Sequence, residues 1–149
     1  MMRALLAVGL ALMVSVVNAS QAERNDMSRK GVFPHWIERH VGDNVHFFFA
    51  CRQQRHILDL QEIGKHAHAV GDIRSFHAAL ENSVNNGVCF ASQHPITQIA
   101  VDIVDAFKTS HGPKGSHLKY WAVVVKVMNP ENHDQFLYAG VDILEPEGI

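Results

Sequence analysis

The chain is short of the features that usually announce an activity. It has no Gly-x-Ser-x-Gly elbow, no His-Glu-x-x-His, no phosphate-binding loop and no dinucleotide fingerprint. Their absence removes positive evidence for an enzyme, although triads assembled from distant residues leave no local trace. Only 2 of 149 residues are cysteine, Cys51 and Cys89, and they do not form a C-x-x-C, which disfavours thiol oxidoreductase chemistry. No basic block or aromatic–basic interleaving is present, so nucleic acid is a poor partner for it. Beyond residue 22 no apolar run is long enough for a transmembrane segment.

The first apolar run is what is there. Arg3 precedes an unbroken apolar stretch over residues 5–17, followed by small residues that allow cleavage after Ala19 or Ala22. This is the pattern of a secretory signal peptide, too short to span a bilayer stably. The expectation is a signal over residues 1–22 and a periplasmic or secreted mature protein of roughly 130 residues, one ordinary domain. Without Arg3 the mature part carries 12 basic against 15 acidic residues. In an oxidising compartment a lone cysteine pair most often forms one disulfide. Two buried free thiols are the alternative reading, and a reactive Cys–His pair a third.

Residues 23–43 read as an irregular arm, in which Pro34 opens a short helical turn carrying Trp36 and Ile37. The arm is held to the domain by Phe33 and Trp36. Residues 44–145 form the domain, and residues 146–149 a frayed tail. Residues 45–50 have strand composition, and the three consecutive phenylalanines, Phe47, Phe48 and Phe49, suggest burial on both faces. Residues 52–66 read as a helix with Ile57, Leu60, Ile63 and Ala67 on its apolar stripe and Gly64 weakening its end. A second helix starts at Asp72 as N-cap and presents Ile73, Phe76, His77, Leu80 and Val84, and Gly87 suits a left-handed cap. The period then becomes two. Residues 88–91 are a short strand broken by His94-Pro95. Thr97, Ile99, Val101 and Ile103 alternate against Gln98, Ala100 and Asp102. Residues 118–128 read as a central strand, with Trp121, Val123, Val125 and Val127 on one face and Tyr120, Ala122 and Val124 on the other. Residues 136–144 form the last strand. The class is α+β, an antiparallel sheet of about four to five strands with two helices inserted after the first strand.

Histidine is the chemical lead, with 11 copies, all beyond residue 22. Asp59, Glu62 and His66 fall on one helical face, and His68 completes a His-x-His, a donor set suited to Zn, Cu or Ni. A solvated polar helix face is the plainer reading of the same four residues. His77 and His56 read as core histidines bonded to backbone. The segment from Lys108 to His117 is polar, glycine-containing and locally basic, suited to an anionic glycan, a partner protein or no ligand at all. Asp102 and Asp105, three apart and so on opposite sides of a strand, are a candidate acid/base pair.

The arrangement Phe49-Ala50-Cys51, a helix, Phe76 and Leu80, then Gly87-Val88-Cys89 leading into β-rich sequence resembles small exported bacterial proteins of uncharacterised families. The resemblance implies a Cys51–Cys89 bridge and a single α+β domain, and carries over no activity, ligand or catalytic residue. The functional expectation is an exported binding or accessory protein without a catalytic motif, its partner an unidentified protein or envelope component. A histidine-based transition-metal binder and an acid-responsive envelope protein are the alternatives.

Overall fold

The computed structural model describes residues 31–109 and 119–148. The expected signal peptide and most of the basic segment before Tyr120 therefore lie outside the described residues. The elements are α1 (His35–Glu38), β1 (Asn44–Cys51), α2 (Gln54–Val70), α3 (Ile73–Asn85), β2 (Cys89–Lys108), β3 (Tyr120–Met128) and β4 (Phe136–Leu144). The fold is α+β: four antiparallel strands in sequence order, closed on themselves, with two long helices between the first and second strands. No described helix is long and apolar enough to cross a membrane.

Two apolar layers share the sheet. The inner layer fills the closed sheet with Val45, Phe47, Ala50, Ala100, Ile103, Val123, Val125, Val127, Leu137, Ala139 and Val141. Ile37 of α1 is fully buried in the same cluster, and Phe33, Trp36 and Trp121 pack against it. Trp36 meets Trp121 edge to face, with ring centroids 6.0 Å apart, a contact of about 0.5–1.5 kcal/mol beyond its buried area. The outer layer lies between sheet and helices and joins Cys51, Ile57, Leu58, Leu60, Cys89, Val104 and Val124, with Phe49, Phe76 and Leu80 against it.

The helices pack here because their termini are well defined. Gly71 takes φ 73°, a left-handed conformation open to glycine, and Asp72 N–H reaches back to Ala67 O at 2.9 Å. Gly87, at φ 74°, ends α3 in the same way, with Val88 N–H bonded to Ser83 O at 3.1 Å. Asp72 stands at the expected N-cap position, but its side chain makes no capping bond; Ser75 Oγ instead donates to Asp72 O at 2.9 Å.

Bulges change several faces that simple alternation predicts. The strand count is four, because residues 89–108 run as one strand through His94 and Pro95. Against β1, Ala91 pairs with Phe49 and Ile96 with Phe47, so Pro95 lies in the irregularity, where no ladder hydrogen bond is required of it. The same irregularity lets Phe47 point into the inner core while Phe49 and Cys51 face the helices. Phe48 is left 52% exposed, so the three rings are not all buried. A register shift between Ala100 and Asp102 places Ala100 and Ile103 inside and leaves Ile99 and Val101 exposed, against the predicted alternation. On α2 the buried stripe is Ile57, Leu60, Gln61, Gly64 and Ala67, with Ile63 exposed. Gly64 continues the helix instead of weakening it. A Cβ there would stand 3.3 Å from Phe76 Cδ2, so the glycine sets how closely α3 approaches.

The two cysteines are direct cross-strand partners at the start of β2 and the end of β1, and they are disulfide-bonded. The bridge spans the whole helical excursion.

Candidate functional site

The strands β1 and β4 touch over only two residue pairs, Ala50–Ala139 and Cys51–Tyr138. Beyond them the seam is held by side chains. Phe49 lies across Gly140, where an added Cβ would stand 2.3 Å from Phe49 Cζ. From there a cavity of about 430 Å³ opens between the sheet and the two helices. Its sheet wall is built from Phe47, Phe48, Phe49, Phe107, Ala122 and Gly140, and its helix wall from Ile57, Leu60, Gly64, Ile73 and Phe76. Phe47, Val123 and Val141 belong to the inner core, so the cavity reaches the inner layer through the open seam. The volume lies within the range of small-molecule sites.

Five polar side chains converge on this apolar space: His46, Gln61, His68, His77 and Asp142. His46 Nδ1 is 2.7 Å from Thr97 Oγ1, which fixes the ring from the β2 side. Gln61, 8% exposed, donates from Nε2 to Ala122 O at 2.9 Å and ties α2 to the sheet. His68 stands edge-on to Phe107, with ring centroids 5.7 Å apart. His77 lies beside Phe76 at 5.9 Å, and Phe76 meets Phe49 at 5.8 Å. Asp142 projects from β4 opposite Ala122. Part of its surface reaches water, yet burial by the surrounding atoms pushes its carboxyl above the ordinary range, with the charge of His68 opposing the shift. No serine, threonine or cysteine stands among the described residues lining this space.

The expected metal set is distributed differently. Asp59, Glu62 and His66 lie on the exposed side of α2, and His68 turns toward the cavity. Helix α2 continues to Val70, so His66 and His68 are both helical and, two apart, do not face each other. Among the described residues no group of three or more His, Cys, Asp or Glu could hold a metal ion. His77, expected in the core and bonded to backbone, is exposed at the cavity. His56 has its Nδ1 buried without a hydrogen-bond partner. Asp105 also has a carboxyl raised by burial, which the nearby charge of Glu62 reinforces. Its Ala106 backbone bond, the Lys65 charge and a Gln61 bond act the other way.

Only part of this site is legible in the sequence. His68 carried a visible signal as part of a His-x-His, and His77 as a histidine within an apolar stripe. Asp142, Gly140 and Phe48 carried none, since each gains its role from a neighbour distant in sequence. No family model, curated protein or solved structure matches the chain.

Proposed function

We propose that this is an extracytoplasmic protein that binds a small, largely apolar molecule in the cavity between the helices and the seam of the sheet. The cavity carries the reading: its walls are aromatic and aliphatic with a few polar groups set among them, the composition of sites that bury a ligand's body and orient its polar end. The disulfide supports the location, because such bridges persist in oxidising compartments. The leading stretch of residues 1–22 supplies the route as a cleaved signal.

The test is displacement of the neutral apolar dye N-phenylnaphthylamine, with extraction of the purified protein and mass spectrometry of what is released. Dye fluorescence should rise on binding and should fall in Ile73→Trp and Ala122→Phe, which fill the cavity from opposite walls. If wild-type protein leaves the dye unchanged at micromolar concentration and releases nothing on extraction, the reading is wrong.

A further inference from the structure

We propose that the ligand is an organic cation, an apolar body carrying a protonated amine that Asp142 holds. This rests on the reading of the cavity as a ligand site. The charge of the lining is the first observation. Among the described lining residues Asp142 is the one acid, and no lysine or arginine is present. A fatty acid or other anion would bring its carboxylate into a space that holds a carboxylate and no permanent cation.

The setting of that carboxylate is the second observation. Asp142 is exposed at the cavity, yet the surrounding atoms raise its carboxyl, and the opposing influence on it is the charge of His68. An ammonium group would supply the counter-charge and a charge-assisted hydrogen bond, among the stronger kinds available to a protein. The rings are the third. Phe48, Phe49, Phe76 and Phe107 line the same space, and aromatic faces attract cations while tolerating alkyl chains. The histidines add hydrogen-bonding nitrogens around the head group, and Ile57, Leu60 and Ile73 receive the apolar body.

Octylamine, octanol and octanoate share one chain and differ in the head group. Their affinities are compared by isothermal titration at neutral pH on the full mature protein and on Asp142→Asn. Wild type should bind octylamine roughly tenfold or more tightly than octanol, and octanoate weakest. Asp142→Asn should lose that preference while still binding octanol. Equal or tighter binding of octanoate by wild type, or an amine preference that survives in Asp142→Asn, overturns the proposal and leaves the cavity reading intact. If none of the three binds, both readings fall. The wild-type ranking stands independently of whether the variant folds.

Discussion

Removal of the Cys51–Cys89 bridge should cost this protein a large part of its stability margin. The two positions are 38 apart in sequence. In the chain-entropy account, closing a loop of that length stabilises by about 4 kcal/mol at 25 °C, against a net stability of roughly 5–15 kcal/mol for an ordinary domain. The local structure adds to the effect. Both residues are buried, at 0% and 5% exposure, within the outer cluster that holds α2 to the sheet. Cys51 also makes one of the two residue pairs that join β1 to β4. The variant Cys51→Ala/Cys89→Ala, unfolded in urea, should lose about 4 kcal/mol relative to the oxidised protein. Its urea m value should be larger, because an unfolded chain without the cross-link exposes more surface. Trp36 and Trp121, edge to face against the inner core, provide the fluorescence signal. A loss below about 1 kcal/mol with an unchanged m value would refute the view that this bridge acts by restraining the unfolded loop.

Further outcomes follow from the seam and the cavity. Gly140→Ala places a methyl group 2.3 Å from Phe49 Cζ; the ring must move, at a cost of about 1–3 kcal/mol, and dye binding should weaken, with unaltered urea midpoint and affinity counting against it. Gln61→Met removes the buried bond to Ala122 O and should lower stability by about 1 kcal/mol in the same assay; no loss would show that this bond does not hold α2 down. Phe48→Ser, at a ring 52% exposed, should change stability by no more than about 0.5 kcal/mol yet weaken dye binding, and unchanged binding removes Phe48 from the site. Asp142→Asn should raise Tm at neutral pH. The folded-state pKa of Asp142 is raised by burial, so its ionised form destabilises the fold above that value, and the penalty fades as pH falls toward the ordinary carboxylate range. The Tm advantage of the variant should therefore shrink on acidification, and an advantage that grows instead contradicts the sign.

The elements whose signals are local were legible in the sequence. Strand β4 occupies residues 136–144 as read, and the two faces of β3 divide as alternation requires, with Val123, Val125 and Val127 in the inner core and Val124 in the outer. Gly87 has its left-handed cap because no long-range contact competes with that requirement. The failures share one cause. Ile99 and Val101 were assigned to a face by counting in twos, Phe48 was read as buried from the run of three rings, and each lies beside a register shift that adds residues to one strand. Periodicity within a segment cannot reveal a bulge, because the bulge is set by the partner strand. Ile63 and Gly64 exchange roles for a related reason: the buried stripe of α2 follows where Phe76 and the sheet stand, so a glycine is buried and an isoleucine is left outside.

The cavity was illegible because it is made of small residues facing large ones across three elements. Gly64 of α2 lies under Phe76, Gly140 of β4 lies under Phe49, and Ala122 of β3 sits between them on the wall. Each looks like an ordinary small residue in a helix or strand. A larger residue at any one of them would collide with a ring or occupy the cavity, so the space depends on all three together. Sequences drift readily toward larger apolar side chains at such positions, because cavity filling stabilises. Phe48, Ile73 and His77 of the lining are exposed, so water enters this space. Water in an aromatic pocket is in turn readily displaced by an apolar body. On the proposed reading of the cavity as a ligand site, these small residues are what leaves room for the occupant.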